Sequence, residues 1–191
     1  GEEIVRPAHL GIEMNGKTVG VVGMGNIGTR VARKWFGAFD ARIIAYDPYA
    51  TDDQWLDLPH QRVNSLDELL AVSDLVTLHL PLNEQTKNLI DRAALAIMKK
   101  NAVLINVSRG GLIDEQALFD ALQSGHLFGA GLDVFAVEPP PADYPLLSLP
   151  NVVTTPHAAG GTVDTQERSS LQVAQQVIDV LAGLPAMNRV A

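Results

Sequence analysis

The sequence predicts an α/β fold in which a doubly wound parallel sheet is covered by helices on both faces, within a single domain. Three observations predict it. Runs rich in Val, Ile and Leu recur along the chain and alternate with segments of helical character, as strands buried on both faces do. The first run leads straight into Gly23-Met24-Gly25-Asn26-Ile27-Gly28, a Gly-x-Gly-x-x-Gly turn. The next ends on an acid, Asp47, which lies 19 residues after Gly28, near the spacing of about 20 found in a strand–helix–strand unit that binds a dinucleotide.

The elements follow in order. Residues 16–22 read as a buried strand, and after the glycine turn Ile27, Val31 and Trp35 recur at helical spacing. Residues 41–47 form the next apolar run. A Pro- and Asp-rich stretch then leads to a short strand at Arg62-Val63 and to Ser65-Leu66-Asp67-Glu68, a capping box that opens a short helix. Strands are predicted at 74–80, 102–107, 128–134 and 151–154. Between them, helices are predicted near 91–98 and from the cap Asp114 to Ser124, and a long helix closes the chain at 162–181. No internal repeat, low-complexity segment or linker interrupts the pattern.

The glycine turn implies a Rossmann-type dinucleotide site. Gly23 permits a tight turn, Gly25 lets the backbone approach a pyrophosphate, and Gly28 lets the helix pack close to the strand, so that the free amides of the helix start face the phosphates. Such a turn alone is weak evidence; the strand before it, the helix after it and the acid beyond make it specific. A carboxylate at Asp47 accepts hydrogen bonds from the adenosine ribose and repels the extra phosphate of NADP, so NAD is the expected cofactor. Asp47 also suits the plainer task of capping the turn before Pro48.

Composition narrows the partners. The chain has 191 residues, 47% of them hydrophobic, and a net charge of -8 with no Lys/Arg cluster, which argues against a nucleic-acid partner. It has no cysteine, hence neither a disulfide framework nor a thiolate metal site, and no metal is expected. The first residues lack the apolar core of a signal peptide, and no run reaches the roughly 18 apolar residues of a membrane span. The expectation is a cytoplasmic protein with no membrane partner.

In a parallel sheet of this kind ligands sit beyond the carboxyl ends of the strands. The polar residues at those ends are Asp47, His79, Ser108-Arg109, Asp133, Glu138 and His157. Arg109 follows a buried strand and precedes Gly110-Gly111, so its guanidinium can hold a carboxylate bidentately where the backbone comes close to a ligand; a surface salt bridge is the plainer use of such a residue. His157, in Thr155-Pro156-His157-Ala158-Ala159-Gly160, has the imidazole suited to proton transfer near neutral pH, although most loop histidines are inert. Glu138 could orient that imidazole and raise its pKa, or serve only as an acid at a turn before Pro139.

These motifs, taken in order, resemble the cofactor domain of the D-isomer-specific 2-hydroxyacid dehydrogenases, whose members include phosphoglycerate, glycerate, D-lactate and formate dehydrogenases. The resemblance runs from about Gly16 to the C-terminus and rests on the glycine turn with Asp47, His79-Leu80-Pro81-Leu82 with Thr86, Asn106-Val107-Ser108-Arg109-Gly110-Gly111, Gly131-Leu132-Asp133-Val134-Phe135 with Glu138-Pro139, and Thr155-Pro156-His157 with Gly160. It implies that Arg109 binds the substrate carboxylate and carbonyl, that His157 is the acid-base and that Glu138 is its partner. It also implies cofactor contacts from Asn26, Ile27, His79, Leu80, Pro81, Thr86, Val107, Ser108, Asp133 and, after His157, Ala159 and Gly160. The substrate would be a small 2-hydroxy or 2-oxo acid, and the assembly a homodimer built on this domain. The family's substrate-binding domain, on the order of 100 residues, does not precede Gly16, so residues 1–191 are expected to be the dinucleotide-binding domain alone. Two other readings remain: an NAD-sensing binding protein resembling the corepressors of the superfamily, and a formate dehydrogenase-like enzyme, whose group resembles a Gln-His pair where this chain has Glu138.

Overall fold

A computed structural model of the chain describes residues 10–55 and 59–187. Contacts divide the chain into two compact units, Gly1–Pro156 and His157–Ala191.

The first unit is a seven-stranded, fully parallel sheet in the order β3-β2-β1-β4-β5-β6-β7. Its strands are β1 (Thr18–Val22), β2 (Arg42–Tyr46), β3 (His60–Arg62), β4 (Leu75–Leu78), β5 (Val103–Asn106), β6 (Gly129–Leu132) and β7 (Val152–Thr154). The helices are α1 (Asn26–Phe39), the single turn α2 (Asp52–Trp55), α3 (Leu66–Val72), α4 (Arg92–Ile97) and α5 (Glu115–Gln123). Strand order reverses between β1 and β4, which places the expected ligand crevice beyond their carboxyl ends.

Continuous apolar runs result because successive side chains enter different cores. Val19 and Val21 of β1, with Ile43 and Ala45 of β2, belong to a cluster with Ala32 of α1. Val22 and Ile44 point the other way and join Leu69, Leu95 and Leu118 of α3, α4 and α5. The two predicted caps are in place, with Ser65 Oγ accepting from Glu68 N at 3.2 Å and Asp114 Oδ1 from Ala117 N at 3.0 Å, and the structure adds a third, Asp91 Oδ1 accepting from Ala94 N at 2.8 Å. In the capping box, Glu68 Oε2 reaches Asn64 N at 3.2 Å, one residue before the cap.

At the amino ends of the strands Asp74 ties three elements together. It accepts from Thr18 N at 2.9 Å, pairs with Lys99, and exchanges backbone hydrogen bonds with Thr18 and Val103. Burial pushes this carboxyl up, but the bonds from Lys99 and Thr18 outweigh it and hold the carboxyl below the usual range.

Several boundaries differ from the sequence reading. The third strand is His60–Arg62 and stops before Val63, while α2 and the 3₁₀ turn Pro145–Ser148 carried too little periodicity to predict. On α1 the buried residues are Gly28 and Ala32, and Ile27 is 63% exposed. Small residues therefore make its closest approach to the sheet, and Trp35 packs against the same core while staying partly exposed.

The second unit contains α6 (Val163–Leu181), whose start is capped by Thr162 Oγ1, which accepts from Thr165 N at 3.1 Å. None of its residues is buried. Among the described residues, no helix is long and apolar enough to cross a membrane, and no cluster of His, Asp and Glu is arranged to hold a metal.

Candidate functional site

The turn after β1 is built by its glycines. Gly23 sits at φ +92°, and a Cβ there would lie 2.5 Å from the His79 carbonyl oxygen. A Cβ on Gly28 would lie 1.9 Å from the Gly23 carbonyl oxygen, so any side chain would push α1 off the strand. Gly25 differs: a Cβ there meets no protein atom within 4 Å. Its bareness serves no internal contact. Gly25 is the N-cap of α1, no side chain caps the helix there, and no acid occupies the first turn. Thr29 Oγ1 donates instead to the carbonyls of Met24 and Gly25, at 2.9 and 2.7 Å, fixing the turn from behind. Exposed amides at an uncapped helix start, with open space over the middle glycine, fit a dinucleotide pyrophosphate.

Asp47, just after β2, does both structural and open-ended work. Its Oδ1 accepts from Tyr49 N at 2.9 Å and Ala50 N at 3.1 Å, which is the turn-capping role. Its Oδ2 accepts from Met24 N at 2.8 Å and so clamps the glycine turn to β2. A carboxylate offers about four acceptor positions, so these bonds leave capacity on Oδ2 for a hydroxyl.

Beyond β4, His79 is largely buried, and Thr77 Oγ1 lies 3.0 Å from its Nε2. Burial pulls the imidazole down from 6.5 to about 4, which keeps it neutral. The following loop, with Leu80 and the exposed Pro81, is stapled from within: Thr86 Oγ1 donates to the Pro81 carbonyl at 2.7 Å, and Asn83 Oδ1 accepts from Gln85 N and Thr86 N at 2.9 and 3.0 Å.

Beyond β5, Val107 and Ser108 are half-buried and Arg109 is exposed. Ser108 Oγ donates to the Leu80 carbonyl, linking this loop to the one after β4. Arg109 Nη1 donates to the Ser108 carbonyl at 2.7 Å. The residue that shapes this turn is Asn106, 2% exposed, which the sequence reading did not single out. Its Nδ2 donates to the Arg109 carbonyl at 2.9 Å and its Oδ1 accepts from Ser108 N at 3.1 Å. The available signal was an amide at the end of an otherwise apolar strand. Gly110 follows because a Cβ there would lie 1.8 Å from the Phe135 carbonyl oxygen.

That contact joins the loop after β5 to the one after β6. Asp133 is buried, donates its N–H to the Asn106 carbonyl at 3.0 Å and accepts from the Thr155 hydroxyl. Glu138 is exposed, and its Oε1 accepts from Phe135 N at 3.0 Å, closing its own loop. Glu115, at the start of α5, braces the same loop: its carboxylate accepts from Ala136 N at 2.9 Å and from the Tyr144 hydroxyl. Burial and that carboxylate push the Tyr144 phenol up. Phe135 and Tyr144 pack edge to face, 5.9 Å between centroids. Sequence alone did not point to Glu115 or Tyr144, since neither belongs to a short motif.

The first unit thus gathers the glycine turn, Asp47, the 79–86 loop, Ser108-Arg109, Asp133 and Glu138 at the carboxyl ends of adjacent strands. His157, Ala159 and Gly160 open the second unit. His157 is exposed and adopts a left-handed φ of 53°, uncommon for a residue with a side chain, and a turn follows in which Gly161 N donates to the Ala158 carbonyl at 2.9 Å.

Comparison with known proteins is consistent with this architecture. Residues 2–159 match the family described as D-isomer specific 2-hydroxyacid dehydrogenase, NAD binding domain. The chain is 45% identical over 183 residues to D-3-phosphoglycerate dehydrogenase of Methanocaldococcus jannaschii, covering 96% of this chain and 34% of that protein. It is 44% identical over 178 residues to hydroxypyruvate reductase of Thermotoga maritima, covering 92% of this chain and 56% of that one. Among solved structures, D-lactate dehydrogenase with NAD+ from Lactobacillus jensenii matches with a TM-score of 0.86 and 32% identity, over 96% of this chain and 58% of that chain. The chain therefore spans between a third and three fifths of these relatives, and by its sequence, its sheet order and its glycine turn it belongs to the D-isomer-specific 2-hydroxyacid dehydrogenase family, as an NAD-binding domain.

Proposed function

We propose that this chain is the cofactor domain of an enzyme that interconverts a D-2-hydroxy acid and a 2-oxo acid with NAD. The observation that carries the reading is the turn after β1, where a Cβ is forbidden at Gly23 and Gly28 by the protein itself but at Gly25 only by what would lie above it. NAD supplies the hydride acceptor for oxidation and, when reduced, the donor for the reverse reaction.

The chain's own residues do the rest. The amides around Gly25, Asn26 and Ile27 hold the pyrophosphate, and Asp47 accepts from the adenosine ribose and repels NADP. His79, Leu80, Pro81, Thr86, Val107, Ser108, Asp133, Ala159 and Gly160 complete the cofactor's surroundings, as the family resemblance implies. Arg109 grips the substrate carboxylate and steadies the oxyanion that develops at the carbonyl. His157 takes the hydroxyl proton in oxidation and returns it in reduction, with Glu138 as its partner; this pair rests on the motifs and the resemblance. Relatives named for phosphoglycerate, hydroxypyruvate and lactate favour a small, anionic substrate. A homodimer formed through this domain, in the cytoplasm, completes the reading.

Calorimetric titration of the 191-residue chain with NAD, beside a steady-state assay with a panel of 2-oxo acids and NADH, tests it. NAD should bind. Turnover should be poor, because a second wall is needed to orient the substrate and exclude water. A chain that folds and fails to bind NAD would overturn the reading. Sedimentation velocity checks the dimer.

A further inference from the structure

Tyr49 and Gln85 lie 36 residues apart in sequence, yet the Tyr49 hydroxyl donates to Gln85 Oε1 at 2.7 Å. The path of that link is what matters. Tyr49 follows β2, Gln85 follows β4, and β1 lies between those strands. Neighbouring strands are about 4.8 Å apart, so the two loops leave the sheet about 10 Å from one another, and the glycine turn emerges in the gap. A side-chain link between them therefore spans the carboxyl end of β1, and Tyr49 belongs to the same turn as Asp47, whose Oδ2 holds Met24 N.

Both ends of the link are fixed at the backbone. Tyr49 N and Ala50 N donate to Asp47 Oδ1, at 2.9 and 3.1 Å. Gln85 N and Thr86 N donate to Asn83 Oδ1, at 2.9 and 3.0 Å. Tyr49 is 76% exposed and belongs to neither core cluster, so packing does not bring the two side chains together. What holds them is one neutral hydrogen bond reached by water, weak enough to open readily.

We propose that Tyr49 and Gln85 form a clasp across the adenosine end of the dinucleotide groove, which opens to admit or release the cofactor and closes over it once seated. The proposal rests on the reading of this chain as NAD-binding. A clasp of this kind slows exit, and it slows entry too, while leaving the final contacts to the cofactor unchanged. Its effect is therefore larger on rates than on affinity. It acts on any ligand carrying the adenosine half and on none that lacks it.

Stopped-flow kinetics of NADH binding to the 191-residue chain tests the clasp. Tyr49→Phe keeps the ring and removes the donor; Gln85→Met keeps the length and removes the acceptor. Each should raise the dissociation rate about two- to tenfold, the range that one such bond supports, with an association rate equal to or above that of the unsubstituted chain. The double variant should do no more than either single one, because both remove the same bond. ADP-ribose, followed by competition, should respond as NADH does, and nicotinamide mononucleotide should not respond. If the unsubstituted chain fails to bind NADH, the NAD reading and the clasp fall together. If it binds and the single variants exchange NADH at unchanged rates, or their effects simply add, the clasp is overturned and the NAD reading stands.

Discussion

Asp47 Oδ2 accepts a hydrogen bond from the backbone N–H of Met24 at 2.8 Å, so the acid expected to choose the cofactor also holds the turn that receives it. Two substitutions probe the two tasks. Asp47→Ala removes the side-chain acceptors for Met24, Tyr49 and Ala50, whereas Asp47→Asn loses the charge and keeps one amide oxygen, which accepts either from Met24 N or from Tyr49 N and Ala50 N. Calorimetry should show NAD affinity falling about tenfold or more in the alanine variant. The asparagine variant should mainly narrow the preference for NAD over NADP, since the repulsive element has gone. An unchanged ratio of the two affinities in both variants would remove Asp47 from cofactor choice.

Gly25 and Gly28 should fail in different ways. Alanine at Gly28 puts a Cβ 1.9 Å from the Gly23 carbonyl oxygen, and this variant should unfold several degrees lower or fail to fold. Alanine at Gly25 meets nothing in the protein. That variant should keep its melting temperature within about 2 °C, the scale of a surface substitution, and still lose NAD affinity. Thermal scans and NAD titration of both variants check the distinction; a Gly25→Ala chain that binds NAD normally would place the pyrophosphate elsewhere.

His79 should make stability depend on pH in a defined window. Its folded pKa is about 4 against 6.5 for the free group, so between those values the unfolded chain binds the extra proton. The stability is whole above 6.5 and is lost as pH falls toward 4, at up to about 1.4 kcal/mol per unit. Asp74 works below this window, because a lowered carboxyl gives up its contribution only in stronger acid. Urea unfolding at pH 7 and pH 5 should show a larger loss for the unsubstituted chain than for His79→Gln. Equal losses would mean that His79 is protonated in the folded state.

The acid-base pair is tested in a full-length enzyme containing this chain. His157→Ala should lower turnover by about 10²-fold or more and leave NAD affinity nearly intact. Glu138→Gln should also lower turnover, by less than His157→Ala, because an amide supports the imidazolium formed during proton transfer less than a carboxylate does. Near-normal turnover in either variant would reassign the residue concerned to a structural role.

Much of the protein was legible in its sequence, and what was legible is local. Apolar runs such as Val19 to Val22 marked the strands because both sheet faces are covered, and Ser65 and Asp114 marked helix starts because a side-chain oxygen there meets amides only a few residues on. The glycine turn and Asp47 were legible for the same reason, since strand, turn, helix and acid follow one another along the chain. Tertiary structure alone decided which distant residues meet. Asn106 is bonded within a few residues, yet only the sheet buries it; Glu115 reaches Tyr144, and Tyr49 reaches Gln85, because the strand order brings together loops that the sequence keeps far apart. Spacing along a chain records the period of a strand or helix, and it holds no record of which strand becomes the neighbour. That choice is made when the apolar faces pack, and the reversal of strand order between β1 and β4, where ligands of such sheets sit, exists only once they have.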